Sequence, residues 1–215
     1  MATWSSGGTD FVFVLVDADT GGTIQSTFGL GADTVDDREE NHNVHYLSAN
    51  NSAFVSYFAD TYIYLGYVDL SSKSLVWARR HNIGIDNSVH RGCRYFFYHD
   101  SPARIYLTSN YGTEYVFLCL FAPENGNRKR CFKYGSGAGE FPFYMSLQNE
   151  FLLLMGSSLS WKSATSSRGT YILNMGKRTE DVSCSALSIA EITFTWEDAI
   201  STLPVYSVTE SDLQA

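Results

Sequence analysis

The 215 residues predict an all-β repeat fold, built from four-stranded antiparallel units with a period of about 53 residues. Three observations predict it. Gly31, Gly84 and Gly137 are spaced by 53 and 53, and the next step lands on Ala190. A phrase of strand, tight polar turn and strand precedes each of those glycines. Tyr and Phe number 14 each against 4 Pro, and no long stretch carries a clean helical apolar period, so sheet is favoured over helix.

The phrase is clearest from Thr61 to Gly84. Tyr62, Ile63, Tyr64 and Leu65 are strand formers, Asp69 to Lys73 is turn material, and Leu75-Val76-Trp77 resumes the strand. Copies run from Phe11 to Gly31 and from Tyr115 to Gly137, and a weaker one starts at Tyr171.

In chain order, 1–31 is a half repeat, with strands at Asp10–Val16 and Thr23–Phe28 around the turn Asp17–Gly22. Repeat 32–84 opens on an acidic loop and offers strands at Val44–Leu47, Ala53–Phe58, Tyr62–Val68 and Ser74–Arg80. Repeat 85–137 offers Cys93–Tyr98, Arg104–Thr108, Glu114–Phe121 and Arg128–Tyr134. Repeat 138–190 offers Phe141–Leu147, Glu150–Gly156, Thr170–Met175 and Val182–Leu187, with a surface-loop insertion at Ser157–Arg168. The half repeat 191–215 offers Ile192–Trp196 and Val205–Val208. Apolar alternation nominates Phe13, Tyr64, Val76, Phe117, Phe143, Leu153 and Ile172 for the core.

One such unit cannot bury both its faces, whereas stacked units bury each other. Four-stranded repeats of this length suit β-propeller blades, so 1–215 reads as a single propeller-like domain. Its two half repeats together make about one unit, a fourth blade split between the termini. The ends then pair within one molecule, or the C-terminal strands of one copy complete the N-terminal strands of the next. The second closure is head-to-tail and builds a filament when it does not return on itself.

The segments Val68-Asp69-Leu70-Ser71-Ser72-Lys73-Ser74-Leu75-Val76-Trp77 and Val16-Asp17-Ala18-Asp19-Thr20-Gly21-Gly22-Thr23-Ile24 carry a resemblance. They are similar to the strand–turn–strand of SBBP-type β-propeller repeats and, more loosely, of quinoprotein-like repeats. The resemblance implies a propeller fold. It implies no cofactor, because nothing here resembles a quinone site. Trp77 has no counterpart in the other copies, and the family pattern has more blades than this chain supplies.

The net charge of −8 argues against nucleic acid as the main partner. Residues 1–60 carry a balance of −8, residues 61–137 of +5 and residues 138–215 of −5. Solvated loops account for such clusters, as would complementary patches between copies of the chain. No segment approaches the roughly 20 apolar residues of a membrane span. The start, MATWSSGGTD, has neither the basic nor the apolar region of a signal peptide.

Candidate chemistry is sparse. Asp17 and Asp19 resemble the front of a calcium loop, although Gly21 fills the third position and a capped hairpin turn explains the same residues. The histidines His42, His45, His81, His90 and His99 fall in no metal-ligand frame. Cys119 and Cys131 lie six residues either side of Asn125, so a symmetric hairpin sets them opposite each other, where a disulfide or a reduced core pair fits. Asn50-Asn51-Ser52 is the one glycosylation sequon. Trp161 and Tyr111 are the candidates for stacking on a glycan. Three functions are consistent with this pattern. The first is a non-catalytic, extracellular structural or interaction propeller with protein partners that include its own copies. The second is a glycan-binding module. The third is a hydrolase with an axial site.

Overall fold

In the computed structural model the described residues are 2–4, 11–16, 24–30, 39–59, 62–82, 95–100, 103–111, 115–135, 139–148, 151–159, 169–176, 188–191 and 195–198. They form antiparallel sheets and, apart from one 3-10 turn at Ser48–Asn50, no helix. The strands are β1 (Ala2–Trp4), β2 (Phe11–Val16), β3 (Ile24–Leu30), β4 (Glu39–Leu47), β5 (Ser52–Ala59), β6 (Tyr62–Asp69), β7 (Ser74–Asn82) and β8 (Tyr95–Asp100). They continue as β9 (Ala103–Tyr111), β10 (Tyr115–Phe121), β11 (Arg128–Gly135), β12 (Glu140–Gln148), β13 (Phe151–Ser158), β14 (Gly169–Gly176), β15 (Ser188–Glu191) and β16 (Thr195–Asp198).

Four sheets result: sheet A in the order β1-β2-β3, sheet B in the order β4-β5-β6-β7-β16, sheet C in the order β8-β9-β10-β11-β15 and sheet D in the order β12-β13-β14. Among the described residues no sheet closes on itself. The sequence spacing reappears in the element starts, since β6 at Tyr62 and β10 at Tyr115 lie 53 residues apart. The spacing glycines Gly31, Gly84 and Gly137, the strand expected at Val182–Leu187 and the one expected at Val205–Val208 lie outside the described residues.

The sheets pack in chain order. Phe54, Ile63, Leu65 and Trp77 of sheet B meet Ile105, Leu107, Phe117 and Phe121 of sheet C in one cluster. The opposite face of sheet C, with Tyr106, Val116, Leu118 and Phe132, meets Met145, Leu152, Leu154 and Tyr171 of sheet D. The other face of sheet B is buried as well, through Val55, Tyr64, Val68 and Ala78, and sheet A adjoins sheet B where β3 neighbours β7. β10, YVFLCLF, is apolar at almost every position because both of its faces are covered.

The outer side of the B–C contact is clasped by the turn between β10 and β11. The Trp77 indole N–H donates to the Pro123 carbonyl at 3.1 Å, and His81 Nε2 lies 3.1 Å from the Gly126 carbonyl oxygen. Gly126 has φ +69°, and a Cβ there would overlap the Trp77 ring, so this position requires glycine.

Tyr64 and Phe117 are fully buried, whereas Val76, Phe143 and Ile172 are exposed and Leu153 is half-buried. The reasons are physical. The ladder runs Tyr67 opposite Trp77 and then Val68 opposite Leu75, so Val76 is the extra residue of a β-bulge. It runs Pro142 opposite Gly156 and then Tyr144 opposite Met155, so Phe143 is the extra residue of another. Ile172 and Leu153 alternate with Tyr171, Leu152 and Leu154, so they lie on the face of sheet D that points away from sheet C. The side chain of Phe13 lies outside the described residues.

The C-terminal strands also depart from expectation. The strand expected to complete the N-terminal half repeat pairs elsewhere: β16 adds to the outer edge of β7, and β15 adds to the outer edge of β11. The backbone register sets Glu197 opposite Arg80 and Asp198 opposite Arg79. The addition covers two sheet edges that would otherwise offer unpaired backbone groups.

Candidate functional site

The repeated turn shows what its leading aspartate does. Asp69 Oδ1 accepts from the amides of Ser71 at 2.8 Å and Ser72 at 3.3 Å, and its carboxyl is held below the usual range by the Ser72 and Ser71 hydrogen bonds. Lys73 closes the turn at φ 54°. The aspartate caps a hairpin here. Asp17 and Asp19, at the corresponding turn of the first copy, lie outside the described residues. Among the described residues no group of three or more His, Cys, Asp and Glu side chains is placed to share a metal ion. No helix among them is long and apolar enough to cross a membrane.

Cys119 and Cys131 stand opposite each other in the β10–β11 ladder and are joined by a disulfide, fully buried between sheets B and C. Trp161 lies outside the described residues, as does the side chain of Tyr111, whose backbone ends β9 opposite Tyr115.

A cavity among the described residues lies at the joint of sheets B and C. The ends of β4 and β8 approach each other there, since these first strands of their sheets are neighbours. Tyr46, Leu47, Ser48, Ala49 and Asn50 line one wall, and Tyr98, His99 and Asp100 line the other, around about 440 Å³. Asn51, at φ 47°, turns the chain from the 3-10 segment into β5. That turn is held by side chains. Asn50 Nδ2 donates to the Tyr67 hydroxyl at 3.2 Å, and Ser52 Oγ donates to Asn50 Oδ1 at 2.7 Å. Asn51 Nδ2 donates to Ser71 Oγ at 3.1 Å, and the Tyr46 hydroxyl donates to Asn51 Oδ1 at 3.3 Å. The sequon residue Asn50 is therefore an exposed wall of the cavity, while its partner Ser52 is buried.

Tyr98 is backed by an aromatic ladder. Its ring lies 5.3 Å from Phe54 and 6.4 Å from His45, and Phe54 lies 4.8 Å from Tyr67. Burial pushes the Tyr98 hydroxyl pKa up, aided by the Asp100 charge and by Tyr67, so it stays protonated and able to donate. Burial pushes the His45 pKa down. His99 Nδ1 lies 4.0 Å from Asp100 Oδ1.

The sequence carried a faint signal for this cavity. Tyr46 and Tyr98 both lie near the end of the first strand of a repeat, one residue short of the period apart. Residue-type motifs do not reveal it, because its walls come from two turns about 50 residues apart that meet only when the sheets stack. Family models, curated proteins and solved structures provide no match to this chain.

Proposed function

We propose that the chain is a non-catalytic structural and interaction module of β-propeller type that works outside the reducing cytosol and assembles head-to-tail with further copies of itself. The observation that carries this is the outer face of sheet D. Tyr144, Met155 and Ile172 stand opposite one another across its three strands, and Phe151 lies on the same face; all four are exposed. Contiguous exposed apolar surface of this kind marks an interaction site. The corresponding faces of sheets B and C are each covered by the next sheet. A sheet of the same kind is thus the fitting occupant, and a second copy supplies one.

The first sheet of that copy suits the role, since β2 reads FVFVLV and is apolar at every position, as a strand covered on both faces is. The contact is heterologous, so it closes into a ring or continues as a filament. Two further features support the reading. The first strands β4, β8 and β12 neighbour one another in succession, as the inner strands of propeller blades do. The disulfide at Cys119–Cys131 fits an oxidising compartment.

The test is light scattering of the full chain over a range of concentrations. The expected mass rises above the 24.0 kDa of one chain with concentration. Ile172→Asp should return it to the single-chain value without changing the circular dichroism. A wild-type chain at single-chain mass throughout overturns the assembly.

A further inference from the structure

The cavity between sheets B and C is remote in the stack from the outer face of sheet D, and self-assembly makes no use of it. Its walls combine an exposed aromatic ring, a second tyrosine, an amide and a carboxylate. We propose that this cavity binds a neutral carbohydrate, a short oligosaccharide stacked on Tyr46 and hydrogen-bonded by Asn50 and Asp100.

Tyr46 is 56% exposed, yet its ring is fixed at both ends, by the strand and by the hydroxyl bond to Asn51. A fixed ring gives up little conformational entropy when a ligand covers it. The C–H-rich face of a sugar ring is electropositive at its hydrogens and meets the negative face of the aromatic quadrupole. The sugar hydroxyls then need donors and acceptors at the rim. Asp100 offers a carboxylate whose side chain is 85% exposed. Asn50 uses one amide hydrogen on Tyr67 and accepts one bond from Ser52, which leaves a second hydrogen and a second lone pair. The Tyr98 hydroxyl remains protonated as a further donor.

Charge sets the ligand class. The lining residues include one carboxylate and neither lysine nor arginine, so anions are disfavoured. An organic cation would be favoured by rings enclosing it. Here each wall carries a single tyrosine among hydroxyl, amide, imidazole and carboxylate groups, a lining suited to the many hydroxyls of a sugar, and the cation is set against it in the test below. The volume of about 440 Å³ falls within the range of roughly 300–1,000 Å³ usual for small-molecule sites. An N-linked sugar on Asn50 would begin at the rim of the same cavity, so the unmodified chain is the form that binds.

The experiment uses the full chain carrying Ile172→Asp, with Asn50 shown to be unmodified by mass, so that self-assembly does not enter the readout. Cellotriose, maltotriose, chitotriose and tetramethylammonium chloride are titrated by calorimetry and by amide chemical shifts. At least one trisaccharide is expected to bind and to shift the signals of Tyr46, Asn50, Tyr98 and Asp100. Tyr46→Ala should weaken that binding about tenfold, the loss of one good aromatic contact. Asp100→Asn, on an exposed side chain, should weaken it about threefold while the circular dichroism is unchanged. Three results overturn the site: no trisaccharide binds, binding survives Tyr46→Ala unchanged, or only the ammonium ion binds.

Discussion

Sheets C and D are consecutive units of one stack, written in similar strands, and they end in different environments. In sheet C, Phe117 faces sheet B and Val116 and Leu118 face sheet D, and all three are fully buried. In sheet D, Leu152 and Leu154 are buried against sheet C, while Phe151 and Met155, alternating with them on the same strand, are exposed. Sequence alternation is equally apolar in both. What differs is the number of neighbours, and burial tracks the neighbours. Among the described residues no further sheet packs on the outer face of sheet D, and that face keeps the apolar composition of a core while being exposed.

The largest test of this difference is truncation of a ring between two sheets. Phe117→Ala should cost about 3–5 kcal/mol in chemical denaturation, by lost transfer energy and a residual cavity. A cost near zero would show that the B–C contact is not a packed core.

The cross-link is the next test. It sits in sheet C, with a sequence separation of 12 between Cys119 and Cys131. Its removal by Cys131→Ala should cost about 2–4 kcal/mol, and adding reductant to the wild type should reproduce most of that loss. Sheet D has no cross-link among its described residues, so variants there should respond to reductant only through sheet C.

Acid should loosen the B–C contact in particular. The His81 pKa is pushed down to about 3, chiefly by burial, against an ordinary value of 6.5. The unfolded chain therefore binds the proton first, and stability falls as pH drops from about 6.5 towards about 3. At pH 5 the loss from this group is about 2 kcal/mol. His81→Gln should flatten that part of the pH profile in thermal melts, and an unchanged slope would reject the assignment.

The smallest effect is expected on the outer face of sheet D. Ile172→Ala should change stability by less than about 0.5 kcal/mol, measured at concentrations where the chain is a single copy. Leu154→Ala, in the same sheet but facing C, should cost about 2–5 kcal/mol. Equal costs at the two positions would erase the distinction between the faces.

Much of the fold was legible. Strands around the turns at Asp69 and Asn125 were marked by turn chemistry and by β-formers on either side, and those signals are local. The six-residue symmetry about Asn125 carried the register that sets Cys119 opposite Cys131. The positions of Val76 and Phe143 were not legible. One extra residue in a strand reverses the face of each later residue, and no residue type marks a bulge uniquely. The candidate binding residues Tyr46, Asn50, Tyr98 and Asp100 were equally hidden as a group, since no short motif spans two repeats.

The amino-acid order alone was enough for the all-β class, the 53-residue spacing and the strand-turn-strand phrase, because backbone propensity and turn geometry act over a few residues. Packing in three dimensions settled which faces are covered and where the last strands go. β15 and β16 do not join the N-terminal half repeat and cover the edges of β11 and β7 instead. Edge choice depends on which unpaired backbone lies within reach once the sheets have stacked. For β16 that is the edge of β7, with Thr195 opposite Asn82 and Asp198 opposite Arg79. A sequence lists these residues, but it does not bring positions more than a hundred apart to the same edge.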